Sequence, residues 1–169
     1  MPSNDDLLIT DLFVYGTLKR GECRESLWPR KPAQICEAFI LARMYDLRDY
    51  PAIRVDPGNT WDERDAAAAG DDDLDWVAGE LWSFDLPDVS ATIAVLDEIE
   101  QTNQPGYRNL YDQVLVRAHD RPRSQRSRLA MVYQYSNAQR LDPSRRLTPR
   151  AGTDVVSWSA AGTYGRVQQ

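Results

Sequence analysis

Only one stretch of this sequence has a strong helical period, and it comes late. From Pro87 and Asp88, with Ser90 and Thr92 as further candidate caps, Ile93, Val95, Leu96 and Ile99 recur at helical spacing to about Glu100. Asn103, Pro105 and Gly106 then stop it. Most of the remaining apolar runs read as strands. Leu7 to Val14 is a short buried run, and Ala33 to Leu47 alternates Phe39, Leu41, Arg43 and Tyr45 against Ile40, Ala42 and Met44. Pro51 to Val55, Trp76 to Phe84, Tyr107 to Ala118 and Leu129 to Tyr135 follow as extended segments, and Glu22 to Trp28 has room for a helical turn or two before Pro29. Parallel strands in a doubly wound sheet each need a crossover, usually helical, and one strong helix cannot supply several. The expected architecture is therefore α+β, with a curled sheet or small barrel whose last two strands pair across Arg121-Pro122-Arg123-Ser124.

With 169 residues, 42% of them hydrophobic, the chain has material for one domain, 1–169, and not for two. Residues 137–169 show no period and are expected to wrap the surface or lie partly disordered. The segment from Asp56 to Asp75 is an acidic, alanine-containing excursion. Its Asp71-Asp72-Asp73 run lacks the interleaved spacing and distal glutamate of a calcium loop.

Charge and ligand-type residues narrow the function. A net charge of −6 argues against a nucleic-acid partner, although Arg117, Arg121, Arg123, Arg126, Arg128, Arg140, Arg145, Arg146 and Arg150 crowd the last third, where solvated loops account for them. Two cysteines, Cys23 and Cys36, and one histidine, His119, leave little from which to build a metal site, a histidine triad or a disulfide framework. The acidic N-terminus and the lack of a long apolar run point to a cytoplasmic protein with no membrane partner.

Three places rise above packing. Phe13-Val14 leads into Tyr15-Gly16-Thr17-Leu18-Lys19-Arg20-Gly21, a strand ending in a turn without Walker or dinucleotide spacing, whose amides suit a carboxylate or a phosphate. Leu96-Asp97-Glu98-Ile99-Glu100 puts Asp97 and Glu100 on one helix face, with Glu98 left to solvent; Glu100 sits at the helix break, where dipole and burial both raise a carboxyl pKa. Asp49-Tyr50-Pro51-Ala52 either lines a pocket or merely links two strands. On Trp76 to Phe84, alternation leaves open which face is inner, and hence whether Glu80 is buried.

In order along the chain, Phe13 to Gly21, Met44-Tyr45-Asp46-Leu47 with Tyr50-Pro51-Ala52, Val77-Ala78-Gly79-Glu80-Leu81-Trp82, Leu96 to Glu100 with Tyr107-Arg108, and Ala130-Met131-Val132-Tyr133 resemble the γ-glutamylcyclotransferase-like superfamily, including γ-glutamylamine cyclotransferases and AIG2-like proteins. The motif-bearing core runs from about 12 to 136. The resemblance implies a small mixed β-barrel with flanking helices and a cavity at one end. It implies that Tyr15, Gly16, Thr17 and Leu18 bind the substrate's γ-glutamyl group, that Glu100 is the general acid/base, and that no cofactor or metal is needed. Tyr107 and Tyr133 are candidate pocket residues. The expected reaction releases 5-oxoproline from a γ-glutamyl amine or γ-glutamyl amino acid, by a monomer or homodimer; the alternative is a binding protein for a small metabolite on the same fold. Three departures stand out: Ala42 and Gln101 where glycine is common in the family, and the long acidic excursion. Gln101 bears directly on how the helix ends and where Glu100 points.

Overall fold

The computed structural model describes residues 8–55 and 74–161 and the backbone of 166–167. The readings made for Leu7, for the acidic stretch from 56 to 73 and for the last few residues lie outside the described residues. The strands are β1 (Asp11–Val14), β2 (Gln34–Asp46), β3 (Pro51–Val55), β4 (Asp75–Ser83), β5 (Tyr111–His119), β6 (Ser127–Tyr135), β7 (Leu147–Thr148), β8 (Val155–Val156) and β9 (Arg166–Val167). The helix, α1, spans Leu86–Ile99 between β4 and β5. Single 3-10 turns occur at Glu25–Leu27, Ala138–Arg140 and Pro143–Arg145. Among the described residues, no helix is long and apolar enough to cross a membrane.

The sheet closes on itself. Pairings run β2, β5, β6, β1, β4, and β4 pairs again with β2, so five strands form a barrel with β3 and β8 appended. β1 and β6 run parallel at Leu12↔Met131 while the other barrel pairs are antiparallel, which makes the barrel mixed. The long strand β2 serves two neighbourhoods: Gln34–Ala42 faces β4, and Ala42–Asp46 faces β3. Ala42, fully buried, sits at the handover.

Side-chain period fixes the inner face. Phe13 of β1, Ala38, Ile40, Ala42 and Met44 of β2, Val77 and Leu81 of β4, Val116 and Ala118 of β5, and Ala130 and Val132 of β6 form one buried cluster. The question left open on β4 is thereby answered: Val77, Gly79 and Leu81 face in, and Glu80 faces out. At Gly79 the chain of β1 leaves no room for a side chain. A Cβ there would lie 2.4 Å from the Val14 carbonyl and 2.6 Å from the Phe13 ring, so the Phe13 ring takes the volume that a side chain at 79 would need.

The helix covers the outer face. Val89, Ile93, Leu96 and Ile99 pack with Leu12, Val14, Trp82 and Met131 in a second cluster. Leu96, 1% exposed, contributes about 2 kcal/mol by that burial. Asp85 is extended at the N-cap and Pro87 lies in the first turn, where its missing N–H costs no helical bond. Thr92 returns a hydrogen bond to the Asp88 carbonyl at 2.7 Å. Trp28 stacks on Trp82 with ring centres 4.2 Å apart, extending this layer to the loop after β1.

Past residue 137 the chain contributes to the core. Asn137 and Asp142 cap two successive 3-10 turns with their side chains, and Leu147, Val156 and Trp158 join the barrel cluster. β8 lies parallel to β4 at Trp76↔Val155 and Val77↔Val156.

Candidate active site

At the end of β1 the chain enters the Tyr15–Leu18 turn. Gly16 is needed there because of Pro51: an added Cβ would stand 2.7 Å from the Pro51 Cγ. Positive φ belongs to Gly21, at 80°. Three carbonyls of the turn are engaged. Gly16 O accepts from the Lys19 amide at 3.1 Å, Thr17 O from the Arg24 amide at 2.9 Å, and Leu18 O from the Trp28 indole at 2.8 Å. Among the described residues no partner takes the amides of Gly16, Thr17 and Leu18, and all three residues line a cavity. Three successive amides on a concave wall are the kind of group that can take an anion.

The turn is braced from behind. Glu80 accepts from the Arg20 amide at 3.1 Å, the Arg20 guanidinium at 3.0 Å and the Trp82 indole at 2.9 Å. Lys19 Nζ donates to the Trp158 carbonyl at 2.5 Å, and Glu22 accepts from the Ala160 amide at 3.2 Å, so the C-terminal segment holds the same loop.

The opposite wall is the end of α1. Glu100 is the C-cap; the Thr102 amide donates to the Asp97 carbonyl at 2.8 Å and the Gln101 amide to the Glu98 carbonyl at 3.3 Å. These two bonds define a Schellman ending, which requires a left-handed residue after the cap. Gln101 takes that conformation, with φ 52°. The helix thus ends as it would with glycine, at the expense of Cβ strain. Asn103 is also left-handed, at φ 54°, and buried Thr102 ties the turn to the Tyr111 carbonyl at 2.8 Å.

Asp97 and Glu100 share a face and have different surroundings. Asp97 accepts from the Tyr133 hydroxyl at 2.7 Å and from the Gln113 amide, which moors the helix end to β5 and β6. Glu98 is exposed. The Glu100 carboxyl has no hydrogen-bond or ion-pair partner among the described residues, and Glu100 lines the cavity, whose volume is about 140 Å³. Burial pushes its carboxyl up to about 7, and the Arg24 guanidinium pulls back against that rise. Among the described lining residues, Glu100 is the only carboxylate and Arg24 the only cation.

Tyrosines complete the wall. Tyr15 donates to the Tyr133 carbonyl at 2.5 Å and Tyr111 to the Pro51 carbonyl at 2.9 Å. Burial raises the hydroxyl pKa values of Tyr15, Tyr111 and Tyr133, and the Glu100 charge raises each further. All three remain neutral donors at physiological pH.

Tyr15, Gly16, Thr17, Leu18 and Glu100 therefore meet at one cavity, with Tyr133 and with Tyr50-Pro51 from the β2–β3 turn. Tyr107 does not join them. It is 82% exposed, because β5 begins only at Tyr111, and Tyr111 occupies the wall instead. Arg24 and Tyr111 line the cavity without standing out in the sequence; the only signal for Arg24 is a basic residue a few positions beyond the Tyr-Gly-Thr-Leu turn. Among the described residues no three His, Cys, Asp or Glu side chains group as metal ligands would.

The fold is a closed mixed barrel, with Glu100 and the Tyr15–Leu18 turn lining one cavity. The family model described as "Gamma-glutamyl cyclotransferase, AIG2-like" matches residues 12–154, and the chain belongs to that family. An AIG2-like protein from Mus musculus has the same fold, with a TM-score of 0.52 and 17% identity over 79% of this chain and 84% of that one. YkqA from Bacillus subtilis matches with a TM-score of 0.50 and 18% identity over 76% of this chain, which spans about a third (36%) of YkqA. No curated protein matches the sequence.

Proposed function

We propose that the protein is an intramolecular cyclotransferase that releases 5-oxoproline from a small γ-glutamyl compound, with Glu100 as general acid/base and the Tyr15–Leu18 turn as the clamp for the substrate carboxylate. The observation that carries this reading is the solitary Glu100 carboxyl, held near neutrality on the same cavity as three unused amides.

The chemistry follows from the substrate. Its α-amine attacks its own γ-carbonyl carbon; one C–N bond forms, the bond to the leaving nitrogen breaks, and no water or electron is consumed. Two protons must leave the α-ammonium and two must reach the leaving nitrogen. A carboxyl with a pKa near 7 exchanges protons in both directions at neutral pH, so one group serves the whole transfer. Holding the chain folded supplies the proximity that makes the tethered amine effective. Fixing the α-carboxylate on the amides of residues 16–18 would set that fold.

A panel of γ-glutamyl amines and γ-glutamyl amino acids, assayed for 5-oxoproline, tests the reading. Turnover of at least one compound, lost in Glu100→Gln with the fold retained, is the expected result. Folded protein that is stabilised by such a compound yet forms no product would instead mark a binding protein.

A further inference from the structure

One charge on the cavity wall has no structural use. Arg54 donates to the Tyr135 carbonyl, Arg145 to the Asp46 carbonyl, and Arg146 pairs with Asp75. Arg24 is partly buried like these, yet its guanidinium makes no hydrogen bond or ion pair among the described residues. Its backbone is fixed, with the amide on the Thr17 carbonyl at 2.9 Å and the 3-10 turn Glu25–Leu27 directly after it. Its side chain lines the cavity, close enough for its charge to act on Glu100 and Tyr111. A guanidinium kept in a cavity without a partner matches a planar anion that arrives with the ligand.

The cavity thus offers two places for anions, the amides of residues 16–18 and Arg24. A simple γ-glutamyl alkylamine brings one carboxylate, two bonds from the α-nitrogen. A γ-glutamyl α-amino acid brings a second, two bonds from the leaving nitrogen, the other atom that Glu100 must reach. We propose that Arg24 determines specificity by binding the carboxylate of the leaving amino acid, so that γ-glutamyl α-amino acids are preferred to γ-glutamyl alkylamines. This proposal rests on the cyclotransferase reading above.

The test compares γ-glutamylalanine with γ-glutamylethylamide, which differs by replacement of the leaving-group carboxylate with hydrogen. Wild-type kcat/KM should favour γ-glutamylalanine by about 10–100-fold, the range expected for one charge-assisted carboxylate contact. Arg24→Gln should slow γ-glutamylalanine far more than γ-glutamylethylamide and so erase the preference, and Arg24→Lys should restore part of it. An equal loss for both compounds would assign Arg24 to the shared α-carboxylate or to Glu100, and an unchanged preference would remove it from recognition; either overturns the proposal. If wild-type protein releases 5-oxoproline from neither compound, nor from any of the panel above, the cyclotransferase reading fails separately. Thermal shifts with the same pair then decide for Arg24: extra stabilisation by γ-glutamylalanine that Arg24→Gln abolishes upholds carboxylate binding there, and its absence overturns it.

Discussion

Asp75 and Glu100 are both drawn out of solvent, at different places in this protein, and they are treated in opposite ways. Asp75, where β4 begins, faces Arg146 at 3.2 Å, with side chains only 12% and 15% exposed. That pair joins the barrel to the C-terminal segment, which also bridges β2 at Tyr45↔Arg146. Glu100 stands on the cavity with no partner of its own. A buried charge with a partner is a fastening; one without a partner shifts its pKa and becomes available for proton transfer. On the proposed function, the difference separates what holds this fold together from what carries its chemistry.

The contrast can be broken at either end. The largest effect is expected at Glu100: the Glu100→Gln change should lower 5-oxoproline formation by about 10²–10⁴-fold while circular dichroism and the unfolding m-value stay as in the wild type. Asp75→Asn should remove the ion pair with Arg146 and destabilise the protein by about 3 kcal/mol in urea. Replacing both members, as Asp75→Leu with Arg146→Met, should recover much of that loss.

A third effect is smaller and depends on pH. The folded-state pKa of Glu100 lies above its unfolded value, so the folded state holds the extra proton and stability falls as pH rises between about 4.5 and about 7. Glu100→Gln has no charge to bury. Its stability relative to wild type should therefore rise across that window and level off above it, by about 1–3 kcal/mol. Urea titrations at pH 4 and pH 8 measure the change. The smallest effect concerns the turn that aims Glu100. Gln101→Gly should relieve the left-handed strain and stabilise by about 1 kcal/mol, with kcat unchanged because the helix ending is already the one glycine would give.

How much of this could be read in the sequence depended on how far apart the deciding residues lie. The helix, the strand at Pro51–Val55 and the β5–β6 pair rest on local periods and breakers, and they lie close to where the sequence puts them. The inner face of β4 could not be chosen, since its alternation is balanced; the distant Phe13 ring, packed against Gly79, makes the choice. Leu147 and Val156 are invisible as core in the sequence because two-residue strands carry no period, and Trp158 because it lies outside any strand. Of the site, the Tyr15–Leu18 turn and Glu100 were legible as motifs. Tyr107 was misjudged by one helix-ending turn: Asn109 binds the Asn103 amide at 2.9 Å and the Ser136 hydroxyl at 2.6 Å, which delays the strand to Tyr111. Arg24 reaches its place through a backbone bond to Thr17, a contact that no spacing rule announces.

The proposed chemistry turns on Glu100 as a lone carboxyl poised near neutrality on the cavity of residues 15–18. The most direct measurement is a carbon-13 NMR titration of the Glu100 side-chain carboxyl, assigned by its disappearance in Glu100→Gln. A midpoint near 7 is predicted. A midpoint at the ordinary glutamate value, near 4.5, would contradict the account, because Glu100 would then be a solvated helix-end carboxylate.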